Sequence, residues 1–224
     1  MNISIPYKNK VIEAVVDCLV SKKADLKEKY WVVLTHGAGG DLKTPQLREI
    51  ATFLSDKGFA VLRFTCKGLN IKYRINVFTD VLGYLNKEYE PKKIFIGGRS
   101  MGARAAVMLT SDSKAFESNP VCKKIMGIIC LSYPLHKPGN VSDLREEPLK
   151  KCKLPIFFLS GTKDEMCESN VFENILNSMK SPYKIHWLDG CTHSAKPVSN
   201  YQEDMYCAAF KDILDWCLSL CKNV

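Results

Sequence analysis

The sequence predicts an α/β fold with a doubly wound, mostly parallel sheet and an antiparallel hairpin at its N-terminal edge. Two observations lead there. Short apolar runs at 30–35, 59–65, 94–97, 125–131, 154–159 and 183–188 alternate with helical patterns, and such continuous runs suit strands buried on both faces. Residues 2–7 and 11–20 instead flank Tyr7-Lys8-Asn9-Lys10 and read as an opening hairpin.

The elements follow in order. Residues 21–29 are a polar connection into the strand at 30–35, which ends in His36-Gly37-Ala38-Gly39-Gly40. Thr44-Pro45 supplies an N-cap and a first-turn proline, and Leu47, Ile50, Ala51 and Leu54 fall at helical spacing before Lys57-Gly58 stops the helix. After the strand at 59–65 and the loop at 66–70, Phe78, Val81, Leu82 and Leu85 form one stripe of a long helix that Pro91 ends. The strand at 94–97 runs into Gly98-Arg99-Ser100-Met101-Gly102 and then a run of good helix formers that ends near Ser111. A polar loop at 112–114 and a strand at 125–131 come next. Residues 133–152 carry Pro134, Pro138 and Pro148 and read as a loop or small cap, leaving room for a minimal lid of about 20 residues. A strand at 154–159, a helix over 168–179 and a strand at 183–188 follow. Tyr206, Ala209, Phe210, Ile213, Cys217 and Leu220 mark a closing amphipathic helix.

The chain of 224 residues, 46% apolar and 10% aromatic, is sized for a single domain spanning 1–224. No apolar run reaches the length of a membrane span, and the N-terminus has no secretory pattern. Ten cysteines form no C-x-x-C pair, which disfavours zinc-ribbon and thioredoxin-like readings. Cys18, Cys130 and Cys217 sit in apolar patterns and are expected to be buried free thiols. With no secretory signal, that points to an intracellular, cytoplasmic or nuclear setting. The net charge is +8, and between residues 67 and 104 Lys67, Lys72, Arg74, Lys87, Lys92, Lys93, Arg99 and Arg104 face only Asp80, Glu88 and Glu90. The plain expectation is a solvated basic surface, and the sharper one is attraction of an acidic substrate or partner. Direct nucleic-acid binding is disfavoured, since no recognised module or aromatic stacking pattern accompanies the charge.

Chemistry concentrates at strand ends, where ligand sites of such sheets lie. Strand, G-x-S-x-G, helix is the context of a nucleophile elbow, with Ser100 at its apex and flanking glycines that keep the tight turn clear. A serine hydroxyl needs a base and a group to orient that base. Asp164 follows a later strand and His193 the last one, in the order Ser, acid, His of the α/β-hydrolase fold. Glu165 and Asp189 are weaker candidates for the orienting acid. The Met101 N–H is expected as one oxyanion donor. The other is expected from the 36–40 loop, with Ala38 preferred and Gly37 second. No cofactor or metal is implied. His36 reads as a loop brace and His186 as a sheet residue. His136 stays open between pocket lining and surface. Cys191, which lacks an elbow, is discounted. Arg99 and Arg104 put positive charge near the site for a substrate or a partner. The constellation predicts a serine hydrolase acting on a small-molecule acyl substrate: a carboxylic ester, thioester or small amide.

A family resemblance adds to this reading. Phe64-Thr65-Cys66-Lys67-Gly68-Leu69-Asn70-Ile71, Gly97-Gly98-Arg99-Ser100-Met101-Gly102, Ser132-Tyr133-Pro134-Leu135-His136, Asp164-Glu165-Met166-Cys167 and Lys184-Ile185-His186-Trp187 carry it. The chain resembles the testis-expressed type of α/β-hydrolase-like proteins, a family shared with the third regulatory subunit of a non-specific-lethal histone acetyltransferase complex. That family is related in fold to dienelactone hydrolases, whose elbow carries Cys where this chain has Ser100. The resemblance implies the fold and a hydrolase-like triad without naming a substrate. It also implies an alternative: a weakly active or inactive binding or scaffold protein linked to a protein complex of that kind.

Overall fold

The computed structural model describes residues 1–20, 22–111, 116, 119–195 and 203–222, so the loop expected at 112–114 lies outside the described residues. Among these residues eight strands form one sheet: β1 (Asn2–Tyr7), β2 (Lys10–Asp17), β3 (Tyr30–Thr35), β4 (Ala60–Phe64), β5 (Lys93–Arg99), β6 (Ile125–Leu131), β7 (Ile156–Gly161) and β8 (Tyr183–Leu188). Their order is β1-β2-β4-β3-β5-β6-β7-β8. β1 pairs antiparallel with β2, and β2 with β4, while every later pair is parallel.

Among the described residues six helices pack on the two faces: α1 (Pro45–Asp56), α2 (Ile71–Tyr89), α3 (Met101–Ser111), α4 (Glu147–Lys151), α5 (Ser169–Ser178) and α6 (Glu203–Cys221). Successive strand residues point to opposite faces, so β3 feeds two cores. Val32 and Leu34 join Leu47, Ile50 and Leu54 of α1 and Ile213 and Cys217 of α6. Trp31 and Val33 join Val77 and Phe78 of α2, Ala103 and Val107 of α3, and Phe172 of α5. That double burial is why the central strands read as unbroken apolar runs. Among the described residues no helix is long and apolar enough to cross a membrane.

Several boundaries differ from expectation for local reasons. β2 stops at Asp17, where its ladder with β4 ends. There the Asp17 carboxylate accepts from Arg63 Nε at 2.7 Å and Nη2 at 3.0 Å. Cys18 is half-buried rather than buried, and its Sγ donates to Val20 O, whereas Cys130 and Cys217 are buried. Thr44 precedes α1, but its hydroxyl donates to Asp41 O and leaves the helix without a side-chain cap. The 21–29 connection contains a 3-10 turn, Lys23–Leu26, whose Leu26 is buried and accepts from Trp31 Nε1. The 133–152 stretch contains only the short α4.

The basic segment is only partly a surface. Lys67, Lys72, Lys87 and Lys92 are exposed, but Arg74 is buried and Arg99 and Arg104 are half-buried. Arg74 turns inward because three backbone carbonyls take its donors.

Candidate active site

β5 lies in the middle of the sheet, between β3 and β6, and hands the chain to α3 through Ser100. Ser100 has φ of +51°, a left-handed backbone that costs a non-glycine residue about 1–2 kcal/mol. Its N–H donates to Leu131 O at 2.8 Å and its carbonyl accepts from Arg104 N–H, which fixes the turn at both sides. The flanking glycines have one shared cause. A Cβ on Gly98 or on Gly102 would run into the Thr35 carbonyl at the end of β3, so only glycine lets the elbow nest against its neighbouring strand.

Two loops bring the other residues in. Asp164 sits three residues past β7, where its Oδ1 accepts from Met166 N–H at 2.8 Å and its own N–H donates to Gly161 O. It does not cap α5, whose N-cap position is Glu168. His193 lies five residues past β8. His193 Nε2 is 2.8 Å from Ser100 Oγ, and His193 Nδ1 is 2.9 Å from Asp164 Oδ2 and 3.0 Å from Oδ1. A carboxylate only accepts, so Nδ1 carries the proton and Nε2 presents its lone pair to the serine hydroxyl. All three are buried: Ser100 9%, Asp164 3% and His193 8% exposed.

The weaker orienting candidates do not reach the imidazole. Asp189 accepts from the Thr162 hydroxyl. Glu165 Oε2 accepts from the His193 backbone N–H at 3.1 Å. Burial opposes ionisation of Glu165, but backbone donors and the Arg99 charge outweigh it and hold the carboxyl below its ordinary value. Arg99 Nη2 donates to the His193 carbonyl at 2.9 Å. Glu165 and Arg99 therefore grip the histidine's backbone on both sides. Sequence reasoning missed both roles, and the only signal was position: one residue after the acid and one before the serine. Burial pushes the Arg99 guanidinium down from its ordinary value, while Asp164 and Glu165 oppose the shift. Arg99 also lines a cavity of about 10 Å³ with Gln46, Leu131, Ser132, Leu159, Ala195, Tyr206 and Phe210.

The 36–40 loop comes against the serine. A Cβ on Gly37 would stand 3.1 Å from Ser100 Cβ. Met101 opens α3, so its N–H has no intrahelical acceptor. His36 is a brace: Nε2 accepts from Cys66 N–H at 2.9 Å, and Nδ1 lies 2.6 Å from Gly37 O. His136 is neither surface nor pocket lining. It is fully buried, with Nδ1 donating to Lys137 O and Nε2 accepting from Glu168 N–H. His186 pairs with Asp212 at 2.7 Å. Cys191 is buried, and burial pushes its thiol up. A wider cavity of about 960 Å³ is lined by residues such as Tyr7, Ile75 and Met108, none of them among these site residues. Among the described residues no three His, Cys, Asp or Glu side chains gather to hold a metal ion.

Comparison with known proteins agrees with this architecture. Est1E from Butyrivibrio proteoclasticus superposes with a TM-score of 0.77 at 15% identity, covering 99% of each chain. Dienelactone hydrolase from Anabaena variabilis gives 0.75 at 14% identity, covering 98% of this chain and 96% of that one. Esterase 2 from Thermogutta terrifontis gives 0.77 at 12% identity, covering 98% and 94%. Identities this low speak for the fold alone. The family description "Alpha/beta hydrolase domain" matches residues 28–214, and the chain belongs to that family.

Proposed function

We propose that this protein is a serine hydrolase that cleaves a carboxylic ester, thioester or small amide through an acyl-enzyme. One observation carries the reading: the continuous hydrogen-bonded line from Ser100 Oγ through His193 to Asp164, at 2.8 and 2.9 Å. In this mechanism His193 Nε2 takes the Ser100 proton as Oγ attacks the carbonyl carbon. Asp164 holds the Nδ1–H tautomer and stabilises the imidazolium. The N–H groups of Met101 and Ala38 receive the oxyanion. His193 then returns the proton to the leaving group, and water, deprotonated by the same nitrogen, releases the acid and regenerates Ser100. The unit is residues 1–224 acting as one domain. Ten unpaired cysteines suit a reducing, intracellular compartment, cytoplasmic or nuclear.

A fluorophosphonate probe tests the assignment. It is expected to label the wild-type chain at Ser100 and to leave Ser100→Ala unlabelled, and equal labelling of both would overturn it. A second reading, a binding or scaffold protein of the testis-expressed type attached to a protein complex, draws on the small cavity beside Arg99. At about 10 Å³ it has room for about one water. Ser100-dependent turnover of p-nitrophenyl acetate, with partners unchanged in Ser100→Ala, would exclude that reading.

A further inference from the structure

α2 contributes a buried arginine that the mechanism above leaves unused. Arg74 is 1% exposed. Its Nε donates to Gly68 O at 2.7 Å, Nη1 to His36 O at 2.7 Å and Nη2 to Gly37 O at 3.2 Å. No carboxylate pairs with it among the described residues. An arginine so buried normally has an acidic partner, and here peptide carbonyls take that place.

The consequence lies in peptide geometry. No described peptide is cis, and in a trans peptide N–H and C=O point in opposite directions. The His36 and Gly37 carbonyls both face the guanidinium, so the N–H groups of Gly37 and Ala38 face away from it. The Gly37 carbonyl is held a second time by His36. Because His36 Nε2 accepts from Cys66, its proton resides on Nδ1 and is donated to Gly37 O. Gly37 itself lies against Ser100. A planar guanidinium fork serves adjacent carbonyls at once, which a lysine ammonium on a flexible stem does not.

We propose that Arg74 is a positioning residue that locks the Gly37–Ala38 peptide so that the Ala38 N–H is aimed in advance at the oxyanion formed on the substrate of Ser100. The proposal rests on the hydrolase reading. It also accounts for a buried arginine beside the exposed Lys67 and Lys72, and for a contact that ties the 66–70 loop to the 36–40 loop.

The test compares wild type, Arg74→Lys, Arg74→Gln and Ser100→Ala as full chains. The substrates are p-nitrophenyl acetate and its thionoester, whose developing thiolate anion fits an oxyanion hole poorly. Losing one oxyanion donor costs a factor of about 100 to 1,000 in kcat, and misaiming it is expected to cost about 10 to 100. KM should stay within about twofold, and the oxygen-to-sulfur rate ratio should fall by a similar factor. A merely structural arginine would lower both substrates together and leave that ratio at the wild-type value, which would overturn the proposal. Should neither variant fold, the wild-type chain carries the measurement. Phosphonylation of Ser100 is expected to shift the Ala38 amide proton strongly downfield, and an unmoved Ala38 resonance would reject the proposal. Absence of Ser100-dependent turnover in wild type would instead sink the hydrolase reading, and the proposal with it.

Discussion

At the scale of single residues, Ser100, Asp164 and His193 are separated by 64 and 29 positions in the chain, yet their side chains meet within hydrogen-bond distance. Asp164→Asn keeps the volume but reverses the hydrogen-bond preference, so on the proposed mechanism the imidazole no longer holds the tautomer that would accept the serine proton. Turnover is expected to fall by about 10⁴-fold with the thermal midpoint little changed, and kcat on p-nitrophenyl acetate beside calorimetry checks both. His36 gives a pH prediction. Burial lowers its pKa from the ordinary 6.5, the Arg74 charge pushes the same way, and the Gly37 carbonyl and Asp41 oppose them. The folded state therefore binds this proton less readily than the unfolded chain. The stability difference is nil well above pH 6.5 and grows as a loss when the pH falls below it. Urea midpoints between pH 7.5 and 5 should decline, and His36→Gln should flatten that share of the slope. Ser100, Asp164 and His193 were legible as candidates, and His36 as a loop brace, because each follows the end of a strand. Glu165 and Arg99 were not legible as braces of His193, because each acts on a backbone group from another loop.

At the scale of elements, the elbow depends on what lies beside it. Gly98 and Gly102 look like the two ends of a motif, but both yield to one carbonyl, Thr35 O of β3. A methyl on Gly98 must push β5 and β3 apart, and one on Gly102 must push α3 away from β3. Gly98→Ala is expected to cost about 1–3 kcal/mol, read from denaturant midpoints, and to lower Ser100 labelling along with stability. The hairpin has a separate anchor. Arg63 is 6% exposed and joins Asp17 of β2 to its own strand β4, while its Nη1 also donates to Leu42 O. Asp17→Ala leaves that charge buried with one partner fewer. A loss of about 3 kcal/mol is expected in urea unfolding, and Arg63→Met combined with Asp17→Ala should recover part of it. The element order was readable from apolar runs and helical stripes, because burial on two faces or one writes a period into the sequence. The stop at Asp17 was not, since it is set by the end of the ladder with β4, and neither was the diversion of the Thr44 hydroxyl to Asp41 O.

At the scale of the whole molecule, ten thiols share one polypeptide with no disulfide. Seven are buried, Cys18 and Cys221 are half-buried, and Cys207 on α6 is exposed. Burial pushes the Cys122 thiol up to about 11, and Cys130 and Cys217 are also raised, so these three are poor nucleophiles in the folded state. Native protein treated with a thiol-titrating disulfide reagent should show one fast group, lost in Cys207→Ser, and ten after denaturation. Several fast groups in native protein would contradict this packing.

Composition and pattern by themselves determined the class of fold, the sequence of strands and helices, and the elbow at a strand end. These are local properties, written by side-chain period and by the residues that a turn permits. Only the tertiary structure decided which polar groups meet. It turned Arg74 and Arg99 inward from a segment that reads as basic surface. It buried His136 with both nitrogens engaged by backbone, and it set Thr35 O against both elbow glycines. The physical reason is that a hydrogen bond or a close contact between distant loops depends on where whole strands end in space, and no window of sequence contains both partners.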